Sequence, residues 1–365
     1  MFLTPNNIAA YLVDRGLATS SSIVNEHFFL VEVGRRNRNF KVYLGNQKGL
    51  FVKQIKSVDP QAISTLQREA GFYHRLRESR LDGEVQQIVP RMVQYDSTRH
   101  ILTMELLHDS ESLAESHSRD IRHLHETSRR LAEGVAVLHS QLALIMRSMQ
   151  GPFFPMQLPW AICLDQSGYQ PIQQLGPVGV QLASALQRIP GIDLLLGSLR
   201  SLWQWETVIH GDMKWENALL DRADPAAPLR VVDWELVDVG DSAWDVASLL
   251  KEHVVYGLFT LLNAGAGSGQ QPIVNTEDVR QVCAASSREL FQHYVNARRL
   301  PAASLPFFAG RCIRYTAARL VMAVLEYLYS SPASAQVTDM MLQTAVSFLQ
   351  YPQQTAVNLL GTAAV

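Results

Sequence analysis

The sequence predicts an α+β fold of two lobes: a small N-terminal lobe with a five-stranded antiparallel sheet and a helix, and a larger, mainly helical C-terminal lobe. Three observations carry this expectation. The chain has 365 residues, more than a single hydrophobic core usually holds. Its strand-like runs, a short one at Leu229–Val232 apart, fall in the first third. Beyond them, apolar residues recur at helical rather than alternating spacing. The expected division is 1–107 and 108–365, with the junction near Leu107–Asp109.

Thr4-Pro5 reads as a helix N-cap with proline at the first helical position, opening a short helix through about Leu17. Phe28–Val33, Phe40–Leu44 and Leu50–Ile55 read as three strands, the last two joined by the hairpin Gly45-Asn-Gln-Lys-Gly49. From Pro60 to about Arg80, Ile63, Leu66, Ala70, Tyr73 and Leu76 recur at helical spacing, which places Glu69 on or beside the inward face. Val89–Tyr95 and His100–Leu106 complete the sheet around the turn Asp96–Arg99.

Ile121 to about Leu142 is the first long helix of the second lobe. The Pro-, Gly- and Gln-rich stretch Gly151–Pro190 reads as an irregular insertion. Helices are expected at Ile192–Trp205, Ser242–Leu262, Glu277–Arg298, Phe307–Tyr329 and Val337–Leu349. Asn263–Gln270 reads as a flexible connection.

Composition narrows the function classes. Apolar residues at 47% and charged residues at 18% suit a soluble globular chain. A formal net charge of −2 gives no reason to expect nucleic acid or an anionic membrane as partner. Cys163, Cys283 and Cys312 are scattered without a CxxC pair, so neither zinc nor a disulfide framework is indicated. The first residues lack the basic segment of a secretory signal. No stretch reaches the roughly 18 apolar residues of a membrane helix. A cytoplasmic location is therefore expected.

The chemistry concentrates in Val208-Ile-His-Gly-Asp-Met-Lys-Trp-Glu-Asn217 and Arg230-Val-Val-Asp-Trp-Glu235. Asp212 can orient a hydroxyl. Asn217 offers a neutral amide oxygen and Asp233 an anionic one, donors suited to Mg²⁺. Lys214 stands between them. Phosphoryl transfer needs such a set, because it depends on positioning and charge neutralisation. Taken singly, each has an ordinary alternative: a surface Asp, a solvated loop Lys, or, for Lys53 in Leu50–Ile55, the polar face of a strand.

The spacing resembles the protein-kinase catalytic loop His-Arg-Asp-x-x-x-x-Asn, with Gly211 in place of Arg. His-Gly-Asp with Asn five positions on is similar to the aminoglycoside phosphotransferase and choline kinase superfamily. That resemblance implies a protein-kinase-like fold using ATP and Mg²⁺, with a catalytic loop at 208–220 and a metal strand at 229–235. It implies that Asp212 orients the attacking hydroxyl and that Lys214 neutralises the moving phosphoryl group. Asn217 and Asp233 would hold the metal. Glu235 would reach a second metal in Asp-Trp-Glu, where protein kinases have Asp-Phe-Gly. Lys53 would meet the α- and β-phosphates with Glu69 as its ion-pair partner. His210 and Asp245 would brace the loop. Met104, Glu105 and Leu106 would meet adenine through backbone groups.

The nucleotide loop Gly34–Val42 has one glycine, and Asn37-x-x-Phe-x-Val42 resembles the glycine-poor turn of that superfamily. Arg35, Arg36 and Arg38 there would neutralise triphosphate or an acceptor, or simply form a basic hairpin tip. No activation segment follows Asp233, which argues against a protein kinase. Beyond Tyr327 the only acid is Asp339, few for a polycationic aminoglycoside. Arg311, Arg314 and Arg319 read as a cluster for an anionic or peptide acceptor, or as a solvated basic face.

The expected activity is transfer of the γ-phosphoryl group to a hydroxyl of a small molecule or of a peptide Ser/Thr, as in relatives that modify natural-product precursor peptides. The alternative is a catalytically inactive pseudokinase scaffold. Oligomeric state leaves no mark in the sequence.

Overall fold

A computed structural model of the chain describes residues 2–24, 28–34, 37–45, 49–79, 83–148, 154–265, 276–330 and 335–365. The chain divides into two compact units, Met1–Ser112 with Asn217–Val237, and Leu113–Glu216 with Asp238–Val365.

The first unit holds an antiparallel five-stranded sheet of β1 (Phe29–Val33), β2 (Arg38–Tyr43), β3 (Gly49–Gln54), β4 (Met92–Asp96) and β5 (Ile101–Glu105), in the order β1-β2-β3-β5-β4. Strand alternation gives the β2–β3 hairpin two faces. Its register pairs Asn39 with Lys53 and Lys41 with Phe51, and these four line one cavity. Arg38 pairs with Gln54, Phe40 with Val52 and Val42 with Leu50, and the four apolar members of this set are core residues.

Helix α1 (Ile8–Asp14) packs Ile8, Tyr11 and Leu12 into that same core. It is shorter than expected. Thr4–Asn7 form a turn instead, with the Thr4 N–H donating to Asn7 Oδ1 at 2.7 Å. Gly16, at φ 66°, ends the helix before Leu17. A second short helix, α2 (Ser20–Val24), follows.

Helix α3 (Pro60–Glu78) matches its expectation, with Asp59 accepting from the Ala62 N–H at 2.8 Å as the N-cap. Burial of Leu66, Glu69, Ala70, Phe72 and Tyr73 shows its inward face. Helix α4 (Gly83–Ile88), which the sequence reading omitted, follows. The expected metal strand at 229–235 is shortened to Arg230–Val231, which joins Ser110–Ser112 and Ala218–Asp221 in a small sheet. Its remainder turns into a 3-10 segment, Trp234–Leu236.

The second unit is mainly helical: α5 (Leu113–Arg119), α6 (Leu124–Ser148), α7 (Leu164–Ser167), α8 (Gln170–Gln173), α9 (Pro177–Gln187), α10 (Ile192–Gly197), α11 (Ser242–Gly265), α12 (Thr276–Ala297), α13 (Leu305–Ser330), α14 (Ala335–Gln350) and α15 (Pro352–Leu360). Helix α12 packs on α6, and α13 packs on α11 and α14. The 151–190 stretch is not irregular throughout, since α7, α8 and α9 lie in it. Asp238 pins its described start by accepting from the backbone N–H groups of Met156 and Gln157 at 2.8 and 2.9 Å. The helix expected over Ile192–Trp205 becomes a 3-10 segment at Ser198–Leu202. Most of the expected flexible connection, 266–270, lies outside the described residues, as do Arg35 and Arg36.

Candidate active site

In the first unit, three elements meet at Lys53. Strand β3 supplies Lys53, α3 supplies Glu69, and the turn after Val231 supplies Asp233 and Glu235. Lys53 Nζ donates to Glu69 Oε2 at 2.8 Å, Asp233 Oδ1 at 2.6 Å and Glu235 Oε2 at 3.2 Å. Asn37, at the start of β2, adds Nδ2 to Glu235 Oε2 at 3.3 Å. Burial alone would depress the Lys53 ammonium, but Glu69, Asp233 and Glu235 outweigh it and hold its pKa well above the usual lysine value. Glu69 is fully buried, and that burial pushes its carboxyl up despite the pull of Lys53.

The local backbone explains how Asp233 reaches this point. It adopts φ 67° and ψ 57°, the left-handed region that Asp tolerates better than most residues, and so breaks the strand. Trp234 then turns inward, buried, stacking on Phe72 at 4.3 Å and donating Nε1 to the Val231 carbonyl at 3.0 Å. Glu235 is therefore on the same side as Asp233 because of a 3-10 turn.

A cavity of about 230 Å³ lies against this cluster, lined by Lys53, Glu69, Asn217 and Asp233 together with Phe51, Met104, Leu219 and Val232. Glu105 and Leu106 line it as well. Their N–H groups already donate to the carbonyls of Arg91 and Gly49 at 3.0 and 3.1 Å, so those two amides are not available to a base.

Asn217, Asp233 and Glu235 supply one amide oxygen and two carboxylates, a set that suits Mg²⁺ sharing its shell with phosphate and water. Among the described residues no three His, Cys, Asp or Glu side chains are grouped to hold a metal without such help. Three carboxylates around one ammonium also leave negative charge for a cation to offset. The residues fit the ion.

The second unit holds Asp212. Its Oδ2 accepts from Lys214 Nζ at 2.6 Å and its Oδ1 from Arg319 Nη2 at 3.0 Å. Burial would raise this carboxyl, but Arg319 and Lys214 together hold it well below the usual range. Burial would likewise lower Lys214, and Asp212, Glu326 and Glu216 hold it above its usual value.

The loop is braced from Asp245, at the start of α11. Asp245 Oδ2 accepts from the His210 N–H at 2.7 Å, and Oδ1 from the Gly211 N–H at 3.0 Å. His139 Nε2 lies 3.0 Å from the same Oδ2. His210 Nδ1 in turn accepts from the Asp212 N–H at 3.3 Å, so this histidine holds the loop through its backbone. Gly211 sits at φ 82°, a conformation an arginine would strain to adopt.

The sequence offers Arg319 as an acceptor contact or as part of a solvated basic face, and the structure overturns the solvated face. Arg319 is 1% exposed, with its guanidinium 5.5 Å from the Trp244 ring centre. Arg311 is also buried and pairs with Asp241 at 3.1 Å, while Arg314 donates to the Val365 carbonyl at 2.9 Å. A signal was available: Arg319 interrupts the apolar run of α13 at Ala317-Ala-Arg-Leu-Val321. His139 carries a similar one, standing four residues after Val135 and three before Leu142 on the inward side of α6.

Solved structures with this fold include an ethanolamine kinase from Plasmodium vivax, with TM-score 0.56, 12% identity, and coverage of 96% of this chain and 90% of that one. Aminoglycoside 2'-phosphotransferase-IIIa, solved as its GDP complex, gives TM-score 0.55 at 15% identity, covering 96% and 100%. A choline/ethanolamine kinase family protein from Mesorhizobium loti gives 0.51 at 14%, covering 98% and 99%. No curated protein sequence matches this chain. Among the described residues, no helix is long and apolar enough to cross a membrane. In sequence, the profile of the phosphotransferase enzyme family matches residues 30–276, and the chain belongs to that family.

Proposed function

We propose that the chain is an ATP- and Mg²⁺-dependent kinase acting on the hydroxyl of a small molecule that also carries an amine. The observation that carries the nucleotide half is Lys53, held by Glu69 at 2.8 Å and Asp233 at 2.6 Å beside the cavity. An ammonium fixed this way is ready for phosphate oxygens. Asn217, Asp233 and Glu235 would hold Mg²⁺, which when bound neutralises charge on the phosphates.

Asp212 provides the acceptor half. The hydroxyl donates to Asp212 Oδ2, its oxygen attacks the γ-phosphorus, and the bond to the β,γ-bridging oxygen breaks as ADP leaves. The hydroxyl proton passes to Asp212. A carboxylate whose basicity is depressed by Arg319 and Lys214 serves chiefly to orient the hydroxyl, with proton transfer late. Lys214, 24% exposed, is free to turn from Oδ2 to the moving phosphoryl oxygens, whereas Arg319 is packed in place.

The amine is inferred from charge. Glu216 and Glu326 are exposed and close enough to raise the Lys214 ammonium. Both also push up Glu252, after burial itself. Acids beside the proposed base favour a cationic acceptor. A peptide acceptor loses its support from Arg38, Arg311 and Arg319, whose side chains are engaged within the protein.

ADP release with Mg²⁺ and a panel of amino alcohols, amino sugars and their neutral analogues tests this reading. Turnover is expected with the amine-bearing compounds. Asp212→Asn should bind Mg-ATP within about threefold of wild type and lose about 10²–10⁴ in kcat. Nucleotide binding without turnover on any acceptor would instead establish the scaffold alternative. Equal turnover in Asp212→Asn would remove Asp212 from the reaction.

A further inference from the structure

We infer that the segment before α1, through the backbone of Leu3, positions the β2–β3 hairpin that presents Lys53 and Asn37 to the nucleotide, with Arg38 and Gln54 as positioning residues. The inference rests on the nucleotide half of the proposed function. It starts from the register. Lys53 and its partner Asn39 line the cavity, and the next pair along the hairpin is Arg38 and Gln54. Successive side chains of a strand point to opposite faces, so this pair belongs to the face that packs on α1.

Both members of the pair hold the backbone of one residue, Leu3. Gln54 Oε1 accepts from the Leu3 N–H at 2.7 Å, and Arg38 Nη1 donates to the Leu3 carbonyl at 3.0 Å. Leu3 and Gln54 are buried, and the Arg38 guanidinium lies 5.8 Å from the Phe2 ring centre. Gln54 Nε2 also donates to the Arg99 carbonyl at 3.0 Å, which ties in the β4–β5 turn. A second tether joins α1 to that turn: Arg15 Nη2 donates to Asp96 Oδ2 at 2.6 Å, and Arg99 reaches the same oxygen at 3.2 Å.

The glycine-poor nucleotide loop gives this clamp a purpose. A hairpin that does not wrap phosphate with successive backbone amides relies on side chains, and side chains act only from a fixed backbone. Arg38 stands between Asn37, which reaches Glu235, and Asn39, which lines the cavity. Fixing Arg38 from behind therefore fixes its two neighbours in front.

Arg38→Met, Gln54→Met and the double variant test the inference in the full-length protein. Each single variant should raise the KM for ATP about five- to tenfold, the loss of a buried hydrogen bond, with kcat and acceptor KM within about twofold. Gln54 faces away from the cavity, so its effect cannot come from phosphate contact. Because both residues grip the backbone of the same residue, the double variant should be no worse than the poorer single. Arg38→Lys, which can still reach the Leu3 carbonyl, should restore most of the affinity. Amide hydrogen exchange in β2 should quicken about tenfold in Arg38→Met, a readout independent of nucleotide.

Unchanged ATP affinity and unchanged β2 exchange in both single variants would overturn the inference. So would fully additive effects, or a proportional loss of kcat and acceptor KM that tracks the folded fraction. A wild-type protein that fails to bind Mg-ATP would refute the nucleotide reading itself, and the exchange measurement would still decide whether the segment fixes the hairpin.

Discussion

The two charged clusters use the same groups in opposite proportion. Around Lys53, one ammonium faces three carboxylates, those of Glu69, Asp233 and Glu235. Around Asp212, one carboxylate faces an ammonium and a guanidinium, those of Lys214 and Arg319. The first arrangement has negative charge in excess and favours a divalent cation. The second has positive charge in excess among the groups bonded to Asp212, keeps its carboxylate ionised and, on the proposed function, leaves a cation over for the phosphoryl group. On the proposed function, what distinguishes the metal-phosphate site from the hydroxyl-orienting site is the count of charges around the central group.

Removing the central ammonium should have the largest effect. Lys53→Met leaves the fully buried Glu69 without its partner, and breaking a buried pair from one side costs about 3–5 kcal/mol. Urea denaturation should show that loss, and titration should show nucleotide affinity falling by about a hundredfold or more. Lys53→Met with Glu69→Leu should recover much of the stability and none of the affinity. If Lys53→Met were as stable as wild type, the ammonium would not be what offsets these carboxylates.

Arg319→Met is the matching change in the other cluster. Lys214 still holds one oxygen of Asp212, so the cost should be smaller, about 2–3 kcal/mol. The sign of its pH effect follows from the depressed carboxyl. In wild type, Asp212 is ionised well below the usual carboxylate range and sets no acid limb near neutrality. Without Arg319 its pKa rises, and the acid limb of kcat moves to higher pH, with kcat down about tenfold. Arg319→Lys should return the profile toward wild type. A fall in kcat with an unmoved profile would mean that Arg319 serves packing against Trp244 alone.

How far these clusters were legible in the sequence depends on distance along the chain. Asp212, Lys214 and Asn217 share one short loop, so their spacing is itself the signal. Lys53 and Glu69 were readable because a strand and a helix fix their directions by period. Arg319 is over a hundred residues from Asp212, and a helix with three arginines suggests an exposed face until its packing is seen. Arg38 misled in the same way: in the sequence it belongs to a basic tip, while in the fold it grips the Leu3 carbonyl. The helices of 154–190 escaped because short turns rich in Pro, Gly and Gln show no period. The five-stranded sheet was legible because alternation, hairpin and turn signals agreed.

The smallest predicted effect concerns what lies beneath the Asp212 loop. Trp215, next to Lys214, has its ring 4.5 Å from that of His117 and 5.6 Å from that of His253. Ser287 Oγ donates to the Cys283 carbonyl at 2.8 Å, so it accepts from His253 Nδ1 at 2.9 Å and leaves Nε2 to accept from Ser128 at 3.0 Å. In that arrangement the ring is neutral, with both nitrogens satisfied. His117 Nε2 meets Thr127 at 2.8 Å, while its Nδ1 is buried with no partner among the described residues.

Burial pushes His253 down to about 3 and His117 to about 4. Both values lie below that of an unfolded histidine, so the unfolded chain takes up protons first as pH falls. Stability is therefore full above about pH 6.5 and lost as pH falls toward 4 and then 3, with a slope of up to about 1.4 kcal/mol per pH unit for each ring. His117→Phe should remove one proton from that slope between pH 6 and 4, while nucleotide affinity at pH 7.5 stays unchanged. Between pH 6 and 4, above the range where the depressed carboxyl of Asp212 titrates, acid lability in the Asp212 unit should thus come from neutral groups forced to charge, and Arg319→Met should leave the histidine slope intact.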